Sequence, residues 1–230
     1  VKEYKIHNNA VVLLEGMPAL IKGQYDGPVD TLEVILEDAA IGLEVHLYYV
    51  GFEAYNVIAR SAMLVNRSEN PLVLRRAYSA SVDFPQGEYD VIHFPGAWGR
   101  EREQVRTHLT MGMKAEMESA RGGSSAQMNP FAMICAPDAD ETHGEVYGFA
   151  LIYSGNHSTV AKSDQFGFLR VQQGINPHQF EWKLEAGESF DTPQSIICYS
   201  DEGFGKMSRE YHDVFRSNLM SSKYTHMERP

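Results

Sequence analysis

Cysteine is almost absent from this chain. Its 230 residues include two, Cys135 and Cys198, 63 positions apart, with no CxxC pair and no histidine spacing beside them. That leaves no disulfide framework and no zinc motif, and predicts two small buried hydrophobes in a reducing, cytoplasmic compartment. Long apolar runs are missing too. None approaches the roughly 20 residues that span a bilayer, and Val1 does not open a charged and then apolar leader, so no membrane partner is expected. Positive charge is scarce: 20 Lys and Arg stand against 31 Asp and Glu, a net charge of -11. Such a surface repels phosphate backbones and anionic lipid, which argues against nucleic acid as a partner. GxSxG, HExxH and the phosphate-loop order GxxxxGK[ST] are all missing, and no metal or cofactor is expected.

What the chain does have is a hydrophobic fraction of 43% and an aromatic fraction of 11%, enough for a real core. Period-two alternation runs through most of it. Leu32, Val34 and Leu36 share one face, and after a turn containing Gly42 the pattern resumes as Leu43, Val45, Leu47 and Tyr49. Val57 to Val65 reads as a strand covered on both faces, and Leu72 to Phe84 as its successor. Gln104 to Glu118 reads as one long strand with a bend at Gly112. Further strands are expected at Phe131 to Ala136, Glu145 to Ser154, Gln165 to Gln172, Gln179 to Leu184 and Gln194 to Tyr199. Gly, Pro, Asn and Asp punctuate the chain every 8 to 14 residues, the rhythm of an antiparallel sandwich or barrel. One segment departs from it. Phe204, Met207, Tyr211, Val214, Phe215 and Leu219 recur at intervals of three and four, so Gly205 to Leu219 is expected to form an amphipathic helix. The sum is a mostly β chain, a large antiparallel sandwich closed by a C-terminal helix, with no internal repeat.

Two loops could carry function. His93 to Glu103 contains Trp98 beside Arg100, Glu101 and Arg102. An exposed ring there could stack on a sugar while the charged groups bond its hydroxyls, or Trp98 could be buried under the loop with its charges solvated. Arg121 to Phe131, with Ser124, Ser125, Asn129 and Phe131, is long and polar enough to be interfacial, or is simple surface. Carboxylates such as Asp138, Asp140 and Glu141, or Asp83, Glu88 and Asp90, sit in turn-like stretches and read as solvated. The sequons at Asn66 and Asn156 read as chance triplets. No catalytic centre emerges from the residues alone.

Taken in order, Thr31 to Asp38, Val57 to Ser61, Gly96 to Glu101, Gly123-Ser124-Ser125 with Asn129-Pro130-Phe131, Gly144 to Phe149, Tyr153 to Asn156, and Ser208 with His212 resemble the amino-terminal domain of the family 36 glycoside hydrolases, the α-galactosidases or melibiases. The likeness runs from about Gly27 to Pro230. It implies a β-supersandwich of the galactose-mutarotase-like type over 1–203, with 204–230 as the start of a helical linker to a (β/α)8 barrel. That barrel would carry the catalytic carboxylates, so none is assigned here. The absence of an initial Met fits a piece of something longer. The resemblance also implies a homo-oligomer, a tetramer in some members, and substrates with terminal α-linked galactose such as melibiose and raffinose. Trp98, Arg100, Glu101, Ser124, Ser125, Asn129 and Phe131 are the positions it places at an interface near the active site. One departure is Ala126, where members commonly carry His after the two serines. Two rivals stand beside this reading, a stand-alone carbohydrate-binding module built on Trp98 and a mutarotase-like epimerase.

Overall fold

The computed structural model describes residues 1–12, 14–23 and 27–220. Residues 221–230, the later part of the expected linker, lie outside the described residues. The strands are β1 (Glu3–His7), β2 (Val29–Asp38), β3 (Leu43–Phe52), β4 (Val57–Asn66), β5 (Leu72–Leu74), β6 (Tyr78–Gln86), β7 (Tyr89–Pro95) and β8 (Val105–Leu109). They continue as β9 (Lys114–Ser119), β10 (Met128–Cys135), β11 (Val146–Ile152), β12 (His157–Ser163), β13 (Phe168–Ile175), β14 (Trp182–Leu184), β15 (Ser189–Asp191) and β16 (Gln194–Ser200). One α-helix, α1 (Gly203–Val214), follows and runs into a π-helical turn, Phe215–Leu219.

Ten strands make a large antiparallel sheet in the order β1-β2-β3-β4-β16-β11-β10-β7-β8, with β15 on β4. A four-stranded sheet, β6-β13-β12-β9, covers part of one face, and β5 pairs with β14 separately. The helix covers part of the other face. Two cores result, on opposite sides of the same central strands. Phe84, Val91, Ile134, Phe149 and Leu169 fill the space between the sheets. Val57, Ala59, Ile196, Cys198, Met207, Tyr211 and Val214 fill the space under the helix. The neighbours Phe149 and Ala150 therefore point into different cores, which is why Phe149-Ala150-Leu151 is apolar without alternation.

The helix approaches closely because β11 has no side chain at Gly148. A Cβ there would lie 2.6 Å from the Tyr211 ring and 2.8 Å from Met207 Sδ. The Tyr211 hydroxyl then donates to Ile196 O at 2.8 Å, so its one polar atom is satisfied in an apolar site. Both cysteines are buried and unpaired, and burial pushes the thiols up, to about 11 for Cys135 and about 12 for Cys198.

Several strand readings need correction. Gln104 to Glu118 is not one strand. β8 and β9 belong to different sheets, and the chain turns a corner at Thr110–Met113, with Met113 N–H donating to Thr110 O at 3.0 Å and Gly112 at φ +77°. Alternation carried on across the corner because an even number of turn residues preserves its parity. Leu72 to Phe84 likewise divides between β5 and β6, and only Trp182–Leu184 of the Gln179 to Leu184 segment is a strand. β12 escaped the hydrophobic pattern altogether: its Ser158, Thr159 and Ser163 are buried, with Thr159 Oγ accepting from Gln173 at 3.0 Å. The helix begins two residues earlier than its periodicity suggests. Asn66 is fully buried, its amide donating to Asn70 O at 2.8 Å and Leu184 O at 2.9 Å, so that sequon is closed to a glycan in the folded chain.

Candidate functional site

The link between β7 and β8 folds back on itself. Ala97 and Arg100 exchange backbone bonds at 3.2 and 2.8 Å, which leaves Trp98 and Gly99 at the tip, Gly99 with φ +75°. Glu101 accepts from Gly99 N–H at 3.0 Å and pins the turn. Trp98 is 97% exposed, so the reading that buries it under the loop is wrong: a two-residue tip has no layer above it.

The second loop packs beside the first. Gly96 N–H donates to Gln127 O at 3.2 Å, and a Cβ on Gly96 would lie 2.6 Å from Ala126 O, so only glycine allows this approach. Asn129 Nδ2 donates to Phe94 O at 3.2 Å and ties the loop's end to β7. At the loop's far end Ser124 N–H donates to Ser154 O at 2.8 Å, and Ser125 Oγ accepts from Gln127 N–H at 3.3 Å. Ser125 is therefore a turn former, and no catalytic partner faces it among the described residues.

Behind the loops, between β10, β11 and α1, opens a cavity of about 600 Å³. Asn129 and Phe131 line it with Phe94, Tyr211, His212 and Phe215. Four rings form a continuous wall: Phe94 to Phe131 at 5.7 Å, Phe131 edge-on to Tyr211 at 5.4 Å, and Tyr211 to Phe215 at 5.4 Å. Of the seven positions singled out in the sequence, five belong to the two touching elements nearest the cavity and only Asn129 and Phe131 line it. Ser124 and Ser125 stand apart. Arg102, named in the Trp98 loop, also lines the cavity, and so does Gln104, which the sequence did not single out. Met207, Tyr211 and Phe215 are spaced by four, and that spacing reads equally well as core or as groove wall.

Two buried charge clusters were invisible in the sequence. His46 lies between two carboxylates, Nδ1 at 2.7 Å from Glu33 and Nε2 at 3.0 Å from Glu44. Lys2 at 2.8 Å and Arg67 at 2.7 Å complete the shell of Glu44, and their hydrogen bonds, with that of His46, pull its carboxyl down to about 2. Burial pushes Glu33 up, but its bonds to His46 and His7 outweigh this and leave it low. Asp90 is the second case and a correction, since it was read as solvated. It is buried, bonded to Arg106 at 2.6 Å and His108 at 2.8 Å, and these bonds hold its carboxyl low against the opposing pull of burial. Arg106 also caps the carbonyls of Ala136, Pro137 and Ala139, fixing the loop on which α1 starts. These carboxylates are held ionised, so they have no proton to give as acids and serve as structural anchors. Among the described residues no group of three or more His, Cys, Asp or Glu is placed to hold a metal ion.

The described residues thus form a β-sandwich with an exposed aromatic turn and a helix-walled cavity. Comparison with known proteins identifies its family. The model of the glycosyl hydrolase family 36 N-terminal domain matches residues 1–185, and the melibiase model matches residues 189–230. The chain belongs to the glycosyl hydrolase family 36 N-terminal domains. It is 49% identical to α-galactosidase AgaA of Geobacillus stearothermophilus over 217 residues, 94% of this chain and 30% of that protein. It is 39% identical to α-galactosidase Mel36A of Lactobacillus acidophilus over 229 residues, covering all of this chain and 31% of the relative. The crystal structure of an AgaA variant in complex with raffinose superposes with a TM-score of 0.95 at 47% identity, over all of this chain and 32% of that one. The chain thus spans about three tenths of the length of the relatives it matches.

Proposed function

We propose that this chain is the non-catalytic amino-terminal part of a retaining α-galactosidase that removes terminal α-linked galactose from oligosaccharides such as melibiose and raffinose. The observation that carries the reading is the pair of consecutive family matches, together with the roughly three tenths of its relatives' length that the chain covers. Retention requires two carboxyl groups about 5 Å apart, one of them carrying a proton. By the likeness to family 36 members, those two groups belong to a (β/α)8 barrel and not to the sandwich. Residues 1–203 are the sandwich and 204–230 the start of the linker. The turn at Trp98, Arg100 and Glu101 and the loop of Ser124, Ser125, Asn129 and Phe131 face the substrate entrance or a neighbouring subunit. Barrel active sites lie at the carboxyl ends of the strands, where a neighbour can cover them. We place the enzyme in the cytoplasm, on the two free buried thiols, and as a homo-oligomer.

The 230-residue chain releases no nitrophenol from nitrophenyl α-galactoside on this reading, and measurable turnover would refute it. In the whole enzyme Trp98→Ala lowers kcat/KM for raffinose by about tenfold, the size of one buried aromatic contact. The exposure of Trp98 also favours a second reading, a stand-alone sugar-binding module. Calorimetry separates the two: micromolar binding of galactose or raffinose by the isolated chain supports the module, and no heat supports the accessory role.

A further inference from the structure

The outer face of the four-stranded sheet lies on the opposite side of the sandwich from α1. Phe84, Ala161 and Leu169 point inward to the core between the sheets, so their neighbours Asp83, Lys162, Phe168 and Arg170 point outward. Register sets Asp83, Arg170, Lys162 and Lys114 in one row across β6, β13, β12 and β9. Arg170 grips Asp83, Nε at 2.5 Å from one oxygen and Nη2 at 2.8 Å from the other. Lys114 pairs with Glu116, which leaves Lys162 between them with no ion-pair partner among the described residues. Beside this row the β12–β13 turn carries two rings into solvent: Phe166 is 60% exposed and Phe168 50%. The turn is pinned. Asp164 Oδ1 accepts from Phe166 N–H at 2.8 Å and from Phe168 N–H at 3.0 Å, and Gly167 O accepts from Gly87 N–H at 3.3 Å. A hollow of about 370 Å³ opens here, lined by Asp83, Lys162, Asp164, Phe168 and Arg170 with the buried Phe84 and Leu169 beneath. Small-ligand sites run from roughly 300 to 1,000 Å³.

We propose that this hollow binds a neutral saccharide, with a sugar ring stacked on Phe168 and its hydroxyls shared among Lys162, Arg170, Asp83 and Asp164. Three observations select that ligand. The lining holds two cations and two anions, a balanced set in a chain whose net charge is -11. An anion would meet Asp83 and Asp164, and a cation would meet Lys162 and Arg170. A neutral ligand rich in hydroxyls finds charged donors and charged acceptors side by side. The exposed Phe168 ring, in turn, offers an apolar face to the C–H face of a sugar, at a position where an outward sheet residue is normally polar. Finally, the groups are already in place: Asp164 fixes the turn and Asp83 fixes the Arg170 guanidinium, so little ordering is lost on binding. The hollow is shallow and open to solvent, which puts its affinity in the millimolar range. It lies at the end of β7 away from Trp98, and it requires neither hydrolysis nor a second subunit.

Raffinose titrated across the millimolar range into the isotope-labelled chain, followed by amide chemical shifts, tests the site. The expected result is saturable shifts at Lys162, Phe166, Gly167, Phe168 and Arg170. Phe168→Ala weakens that binding at least fivefold, and Trp98→Ala leaves it unchanged. Shifts that never saturate, shifts confined to the Trp98 loop, or a Phe168→Ala chain that binds as the original does would overturn the proposal. So would saturation by inorganic phosphate in place of raffinose, the mark of an anion site. Shifts at Phe166 and Phe168 that follow chain concentration with no sugar present would also overturn it, since a second copy would then occupy the rings. Should Phe168→Ala fail to fold, Lys162→Ala on the solvent side of the sheet decides, and an unchanged affinity counts against the site. Millimolar binding here stays apart from the micromolar binding that would mark a stand-alone module, and raffinose need not be cut. The hollow can therefore fail while the proposed function stands, and the reverse.

Discussion

Single residues decide how the helix sits. Tyr211 is buried against Ile196, and burial raises its hydroxyl well above the usual tyrosine value, so it stays a neutral donor to that carbonyl. Tyr211→Phe removes this hydrogen bond, an expected loss of about 1 kcal/mol, or a fall in Tm of a few degrees by calorimetry. Trp98 is the contrasting case. It supports nothing beneath it, so Trp98→Ala should move stability by less than about 0.5 kcal/mol. The two substitutions separate a residue that holds the fold from one that does not.

At the scale of elements, α1 and β1 are attached by different forces. The helix is held by shape, through Met207 and Tyr211 over Gly148. Gly148→Ala forces both side chains aside and should cost about 1–3 kcal/mol. Hydrogen exchange should then quicken in α1 while β12 and β13, on the far side, keep their protection. β1 is held by its backbone ladder to β2 and by charge, through Lys2 on Glu44 at 2.8 Å and His7 on Glu33 at 2.8 Å. A carboxyl held at about 2 when folded, against 4.5 ordinarily, stabilises fully above about 4.5 and loses that contribution as pH falls toward about 2. Exchange in residues 3–7 should therefore accelerate across that window ahead of global unfolding. Glu44→Gln should remove most of this dependence.

Over the whole molecule, the β class, the closing helix and the family were legible because alternation, helical periodicity and ordered motifs are local records. Other features are not local. β12 is polar in sequence because its partners are other buried polar groups such as Gln173, and the corner at Gly112 hid inside an unbroken alternation. The cavity needed Phe94, Phe131, Tyr211 and Phe215 to converge from separate segments of the chain, and Asp90 became an anchor only once Arg106 and His108 were brought to it. The loop residues were easier to find than to rank: Trp98 proved exposed, and Ser125 proved a turn former. The central claim is that this sandwich shapes a catalytic site it does not contain. It is tested most directly by assaying nitrophenyl α-galactoside with the 230-residue chain and with the same chain continued through its downstream reading frame. The account predicts no turnover from the first and turnover from the second; turnover by the shorter chain, or by neither, would contradict it.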